Sequence, residues 1–548
     1  MGRLFVVCGL LCLVVTGARA AELGPPEMTN RWMFVWRPMY DVAEVDRVIA
    51  RLPEAAAAGY TGVALSHNIA PERTDALRAA ADAAGLDIIA IVMGNPANRN
   101  DFEGVLSEGA TFVVRDGALV HQPHIVDIAN ADFEAAEGQR FAGWTMQDDP
   151  GVTTYVDREV FHGGGASLRF TDVNQNEHRH ARVAQVIDLI PHRQYRLSYW
   201  LKTDSLSPVD TEAKVLSLDT GTSLLFQTFP AQPTMDWQRV DLVFNSFEHE
   251  EARLYIGSWW GGTGSFWIDD VSLEEIPLVN VLRRAGCPVR VTTADGTRLD
   301  EGTDVAPIVD PGLHPWRSWH EPPRITVPAG SRLAEGDTVH ISYYHTISVY
   351  DGRVNGCLTE PRVFEGWRKE VVDARDRLAP AAFLMSHDEI RVANRCAGCQ
   401  ARGMTPGQLL AENIRLSAQI IRDEAPGAQI WVWNDMFDPM HNAVDKYYAV
   451  NGSWAGSWEG LDPDVGIMNW HGGLMGANAQ FFADLGLRQM LSGYYDGDED
   501  GAAITAWKAA TAEVPGIVGA MYTTWEDKYG ALVPWAEAAW GGAAAGGN

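Results

Sequence analysis

The strongest constraint on this chain is a strand–helix rhythm that starts, breaks off and resumes. Trp32 to Arg37 reads as a short apolar strand. Val42 to Ala58 carries helical periodicity, which Gly59 ends. Thr61 to Ser66 (TGVALS) is a second strand, Pro71 to Ala84 an Ala-rich helix closed by Gly85, and Asp87 to Met93 (DIIAIVM) a third strand. Such alternation predicts parallel βα units. From about Ile125 to Ile276 the pattern changes to short alternating strands between turn clusters, among them ASLRF at 166–170, YRLSYWLK at 195–202, WQRVDLVF at 237–244, ARLYI at 252–256 and GSFWIDDVSL at 264–273. Strands of this kind predict a β-sandwich. Residues 277–350 add a further turn and strand and read as the return path. The first rhythm then resumes. Val363 to Leu378 is a helix and Ala382 to Ser386 a strand. Pro406 to Ala425 is a helix with Thr405 as its cap and Pro406 at its first position. Strands follow at Gln429 to Trp433, Val465 to Trp470 and Arg488 to Gly493, then a helix at Ile504 to Ala512 and a last strand at Ile517 to Thr524.

Three strands before the break and five after it give eight. The expected fold is therefore α/β: a (β/α)8 TIM barrel interrupted after its third strand by an inserted β-sandwich. The expected division is a leader at 1–20, a first barrel part at 21–124, the sandwich at 125–276, a β-rich connection at 277–350 and a second barrel part at 351–548. The closing GSFWIDDVSL segment and the strands before it resemble carbohydrate-binding modules of the jelly-roll type. In such a module Trp259, Trp260 and Trp267 could stack on sugar or fill the core, and Asp269 or Asp270 could hold a structural calcium.

Residues 1–20 carry a basic start at Arg3, an apolar run from Phe5 to Val15 and a small-x-small site at Ala18-Arg19-Ala20. They read as a secretory signal peptide, so the protein is expected to be secreted or periplasmic. Export leaves Cys287, Cys357, Cys396 and Cys399 in an oxidising compartment, where they could pair. Cys396-Ala-Gly-Cys399 can be read as a redox motif or as half of a metal site. With no second CxxC and no CxxCH present, a local disulfide or ordinary thiols is the expectation, with no catalytic metal or other cofactor. A hydrophobic fraction of 46% and a charged fraction of 21% exclude disorder as the main state. A net charge of −29 argues against nucleic acid as a partner, because the chain would repel phosphates. No stretch beyond the leader approaches a membrane span.

Catalysis in such a barrel belongs at the carboxyl ends of the strands. Those ends carry Arg37; His67 and Asn68; Asn95; His387, Asp388 and Glu389; Trp433, Asn434 and Asp435; Trp470 and His471; Tyr494, Tyr495 and Asp496; and Trp525, Glu526 and Asp527. Carboxylates, histidines and aromatics gathered there suit glycoside hydrolysis. One carboxyl protonates the departing oxygen, another group supports the oxocarbenium-like carbon, and aromatic walls hold the sugar's apolar face.

The segment Phe383-Leu-Met-Ser-His-Asp-Glu-Ile390 resembles the Asp-Glu signature of β-N-acetylhexosaminidases of glycoside hydrolase families 20 and 123. It lacks the Gly-Gly that precedes the pair in family 20. The resemblance implies retaining, substrate-assisted catalysis, in which the substrate's 2-acetamido oxygen attacks the anomeric carbon and forms an oxazolinium-like intermediate. It implies Asp388 as the group that orients the acetamide and Glu389 as the acid/base. It further implies Arg37 on sugar hydroxyls and Trp433, Trp470 and Trp525 around the acetamido methyl. Tyr495 or Tyr494 would meet the acetamido carbonyl, and Glu526 the outer hydroxyls. His67, His387 and Asp435 complete the expected substrate-binding set. Since family 123 acts on N-acetylgalactosamine, the galacto sugar is slightly favoured. Two alternatives stand beside this. One is a conventional retaining β-glycosidase with Glu526 or Asp435 as nucleophile. The other is a non-catalytic polysaccharide-binding protein.

Overall fold

The structure, a computed structural model, describes residues 28–229 and 231–541; the leader read at 1–20 lies outside the described residues. Eight parallel strands close into a barrel: β1 (Asn30–Val35), β2 (Gly62–Ser66), β3 (Asp87–Val92), β4 (Ala382–Met385), β5 (Gln429–Trp433), β6 (Val465–Asn469), β7 (Gln489–Leu491) and β8 (Ile517–Tyr522). β3 pairs directly with β4, in the register Ala382 to Ile89 and Met385 to Val92, although residues 93–381 lie between them in sequence. Helices α1 (Val42–Ala57), α2 (Thr74–Ala84), α3 (Pro361–Leu378), α4 (Pro406–Glu424), α5 (Met475–Asp484), α6 (Ala502–Ala510) and α7 (Leu532–Trp540) belong to the barrel. None of the described helices is long and apolar enough to cross a membrane.

Strand alternation sorts the barrel's side chains into two layers. Trp32, Phe34, Ala64, Ile89, Leu384, Trp431, Trp433, Met468, Met490 and Met521 fill the interior. Met33, Val35, Val63, Leu65 and Tyr522 point outward into one helix-facing core. Phe383, Met385, Ile430, Val432 and Ile467 point into another. Trp32 meets Trp431 edge-on at 5.4 Å. Helix starts follow local chemistry: Asp41 and Glu44 form a capping box on α1, and Thr405 and Gln408 form one on α4, where Pro406 takes the first position. Gly85 closes α2 in the left-handed region, at φ 68°.

Residues 125–275 form two facing antiparallel sheets around a common core that includes Leu168, Phe170, Tyr199, Val215, Leu254 and Phe266. One sheet runs 154–157, 167–171, 263–275, 194–207 and 235–245, with 125–126 added at 263–275. The other runs 223–228, 212–217, 251–258, 181–188 and 145–146. The stretch at 277–350 does more than return the chain. Its strands 290–293, 298–299 and 338–345 pair with 105–115 and 118–121, residues expected to belong to the first barrel part. Together they make a five-stranded antiparallel sheet with its own core, built on Phe112, Val114, Val291, Ile341 and Tyr343. The pairing joins segments more than two hundred residues apart, so no local pattern announces it.

Gly466 on β6 leaves room for the Trp431 indole inside the barrel, and a Cβ there would run into the ring. Gly466→Ala is therefore expected to destabilise the protein by about 1–3 kcal/mol through overpacking. The shift in urea-unfolding midpoint at unchanged slope measures it.

Candidate active site

β4 ends at Met385, and the chain then turns over the barrel mouth. Asp388 and Glu389 line one cavity of about 350 Å³, together with Asn95, Trp316, Arg353, Asn355, Trp367 and Arg391. Adjacent residues of an extended chain point to opposite sides. Here Glu389 adopts φ 51°, a left-handed conformation that costs a non-glycine residue roughly 1 kcal/mol. Its N–H donates to Asp435 Oδ2 at 2.8 Å, which fixes that turn. The Glu389 carboxylate bridges two guanidiniums: Arg391 Nη2 lies 2.7 Å from Oε1, and Arg353 pairs with Oε2. Arg391 is itself buried, with its guanidinium over the rings of Tyr350 and Tyr448.

Asp435 follows β5 in a 3-10 turn and is fully buried. Its Oδ2 also accepts from Asn442 Nδ2 at 2.8 Å, while Oδ1 finds no partner among the described residues. Burial first, and the Asp388 charge second, push Asp435 up to about 7. Asp388 is raised as well, by burial and then by Glu389. Three carboxylates thus meet at the ends of β4 and β5. Burial and mutual repulsion raise the pKa of two of them, and the third is clamped between arginines.

A larger cavity of about 930 Å³ adjoins the first and shares Asn95, Trp316, Trp367 and Ser386 with it. Its walls include Trp36, Tyr40, His67 and Asn68. His67 Nδ1 lies 3.1 Å from both the Ile91 carbonyl and Glu370 Oε1. Burial lowers the His67 pKa and pushes Glu370 up to about 8.

The remaining expected residues divide. Trp433 is buried at the top of the barrel interior and Trp470 is partly buried there. Phe34 meets Trp433 and Trp525 edge-on at 5.7 and 5.1 Å, and Trp36 lies 5.9 Å from Trp525, so an aromatic group runs out to the rim. Tyr494 is exposed, with its hydroxyl 3.4 Å from Glu526, which also pairs with Lys528 at 2.5 Å. Tyr495 and Arg37 sit elsewhere than expected, and His387 lines the cavity of about 350 Å³ but is buried. Tyr495 is fully buried among Tyr522 and Trp535 in the helix-facing core, because it points away from the barrel axis. Its neighbour Tyr494 is the accessible one. Arg37 pairs with Asp527 at 3.1 Å beside a separate small cavity lined by Arg47 and Arg51. His387 turns its imidazole inward, with Nε2 on Asn413 Oδ1 at 3.0 Å, and burial lowers its pKa to about 4.

Arg353, Asn355, Arg391 and Trp316 were not singled out from sequence. The first three lie on loops flanking the Asp-Glu pair, and Trp316 comes from the 277–350 stretch. The only signal there was an arginine two residues beyond Glu389.

In the sandwich, Trp260 is 67% exposed, with its Nε1 on Glu212 at 3.1 Å. Trp259 beside it packs on Lys214 and Arg182. Trp267 is buried, donating to Asp157 at 2.9 Å, and is not available for stacking. Asp269 accepts from the backbone N–H groups of His162, Gly163 and Asp270, and Asp270 bonds the His162 ring. Both carboxylates anchor the 160–163 loop.

Residues 128–263 match the family model of a carbohydrate binding domain. No curated protein matches the chain. Among solved structures, the module CBM4 is 20% identical, covering 27% of this chain and 100% of its own, with a TM-score of 0.21. A family 16 carbohydrate-binding module is 20% identical over 27% of this chain and 97% of its own, at 0.22. TmCBM61, solved in complex with β-1,4-galactotriose, is 17% identical over 26% of this chain and 94% of its own, at 0.21. The family match carries the assignment: the chain joins an eight-stranded parallel barrel to a carbohydrate-binding module domain.

The raised pKa of Asp435 has a consequence for stability. An unfolded Asp titrates near about 3.9. The folded state keeps this proton up to about 7, so the associated stability is complete below about pH 4 and is lost as pH rises through about 7. Asp435→Asn is expected to gain on the wild type progressively over that interval in urea unfolding. An unfolding difference independent of pH would contradict the shift.

Proposed function

We propose that this is an exported glycoside hydrolase that releases β-linked N-acetylhexosamine by retaining, substrate-assisted catalysis. The observation that carries the reading is the convergence of Asp388, Glu389 and Asp435 on one site at the mouth of a barrel joined to a carbohydrate-binding module domain. A sugar seated against Trp316 and Trp367 would bring its glycosidic oxygen to this carboxyl group cluster. Glu389 is the acid/base; the exposed Arg353 must give way before the carboxyl can exchange a proton with the leaving group. Burial and the neighbouring carboxylate charges raise the pKa of both Asp388 and Asp435 in the free site. An acetamide N–H would then favour ionised Asp388, which steadies the positive charge developing on the substrate's nitrogen. Export rests on reading residues 1–20 as a leader, and the lean to the galacto sugar on the resemblance of the Asp-Glu segment.

A second reading is a conventional retaining glycosidase with Asp435, which is hydrogen-bonded to the Glu389 N–H behind the cavity, as nucleophile. Glu526, engaged with Tyr494 and Lys528, is the weaker candidate for that role. p-Nitrophenyl β-glycosides of N-acetylgalactosamine, N-acetylglucosamine, galactose and glucose distinguish the two. Turnover restricted to the acetamido sugars is expected, and turnover of the plain hexosides transfers the nucleophile to Asp435. Turnover of none of the four would favour the non-catalytic alternative.

On the acetamido substrate, Glu389→Gln should lower kcat by about 10²–10⁴-fold, the range of acid–base catalysis, and Asp388→Asn should also lower it sharply. Full activity in either variant would remove the assignment. Trp260→Ala should weaken retention on polysaccharide roughly five- to tenfold, about one aromatic contact's worth, while kcat on the small glycoside stays unchanged.

A further inference from the structure

All four cysteines of the described residues are buried and unbridged, and three of them converge with a carboxylate. Cys357 Sγ lies 3.7 Å from Cys396 Sγ and 3.6 Å from Cys399 Sγ. Cys399 Sγ lies 3.7 Å from Glu103 Oε2. The ligand atoms of Glu103, Cys357, Cys396 and Cys399 all fall within 4.8 Å of one another. We propose that Cys357, Cys396, Cys399 and Glu103 form a structural zinc site.

Zinc binds thiolate sulfur at about 2.3 Å in tetrahedral geometry, which places ligand sulfurs roughly 3.8 Å apart. The thiols are already close to that spacing. Three soft sulfur donors with one carboxylate oxygen suit borderline Zn²⁺ better than the hard cations calcium and magnesium. Four protein ligands leave no open position, as in structural sites. The surroundings fit the charge of bound thiolates. The Cys399 N–H points at Cys396 Sγ at 3.4 Å, and Thr359 Oγ1 lies 3.2 Å from Cys399 Sγ. Glu103 Oε1 is held by the N–H groups of Arg395 and Cys396 at 2.8 and 2.9 Å, which leaves Oε2 for the metal. The buried guanidinium of Arg284 offsets part of the negative charge. Cys287 lies against Cys396, outside the four, and packs on Gly104.

The site joins distant parts of the chain. Glu103 lies beyond β3, Cys357 just ahead of α3, and Cys396 seven residues past Glu389. Metal there would tie the loop that carries Asp388 and Glu389 to both ends of the 93–381 segment. It would also keep the thiols from pairing in an oxidising compartment.

The test uses the full-length protein purified without chelator or reductant, with metal content, free thiols after denaturation and intact mass measured together. One zinc per chain is expected, with all six thiols of the full chain alkylatable, or four where residues 1–20 have been removed. A metal-free protein whose mass shows disulfides, for which Cys287 with Cys396 and Cys357 with Cys399 are the available pairs, would overturn the proposal. Cys399→Ser and Glu103→Gln should lose zinc, while Cys287→Ser keeps it. Loss in Cys287→Ser with retention in Glu103→Gln would overturn the ligand set. Where a variant fails to fold, cobalt(II) added to chelator-stripped wild type gives an independent reading. Thiolate-to-cobalt absorption and the intense visible bands of tetrahedral cobalt are expected, and a weak octahedral spectrum would count against the site.

Discussion

The pairing of β3 with β4 is the constraint on which the rest depends. Four residues of β4 lie in register along β3, and without that seam the barrel would open. The two strands must meet although residues 93–381 separate them. Loop-closure entropy makes this less costly than the length suggests, since each doubling of a flexible loop adds only about 0.6 kcal/mol. What matters is that the ends of the segment come together, and they do so just above the seam. Phe102 bridges Gly356, the Glu103 N–H reaches the Asn355 carbonyl at 2.8 Å, and the Cys357 N–H reaches Asp101 O at 3.0 Å. The segment therefore leaves and re-enters the barrel through one narrow neck.

That neck also builds the site. The returning strap carries Tyr350, Arg353 and Asn355 across the barrel mouth, and its other side is fastened to the sandwich. Gln227 Nε2 donates to Ser348 O at 2.9 Å, the Thr228 N–H to Asp351 at 2.7 Å, and Phe226 meets Tyr350 edge-on at 4.7 Å. Tyr350 then lies under Arg391, which holds Glu389. A continuous run of contacts thus links a strand of the carbohydrate-binding module domain to the carboxylate at the centre of the candidate site. The same sandwich sheet carries Lys214, which faces both Phe226 and Trp259.

How much of this was legible in the sequence follows from which interactions are local. The eight barrel strands, the helix caps at Thr405 and Gly85 and the sandwich strands are written in short-range periodicity and turn chemistry, and they stand within a few residues of where they read. Asp388, Glu389 and Asp435 were legible because strand ends are where polar residues gather in a barrel. Arg353 and Trp316 were not, because only the long return of the chain brings them to the pocket. The sheet formed by 105–121 with 290–345 escaped for the same reason. Tyr495 and His387 mark the opposite limit. Position at a strand end says that a residue is near the mouth, but a rotation of one residue decides whether its side chain faces the pocket or the helices.

Glu389 shows how these levels combine. Its left-handed backbone is unfavourable by itself, and three contacts from different parts of the chain hold it there. Asp435 on the β5 turn takes its N–H, Arg391 on its own loop takes one carboxylate oxygen, and Arg353 on the return strap takes the other. The two arginines are not equivalent. Arg391 is buried and stacked between tyrosines, so moving it would expose apolar surface and strand a charge. Arg353 is largely exposed and can swing into solvent at little cost. On the proposed reading a bound sugar would displace Arg353 and leave Arg391 in place. Glu389 would gain room to exchange a proton while its turn stays fixed. The flexible half of the clamp comes from the segment between β3 and β4 and the rigid half from the loop after β4, so the two hold the carboxylate jointly.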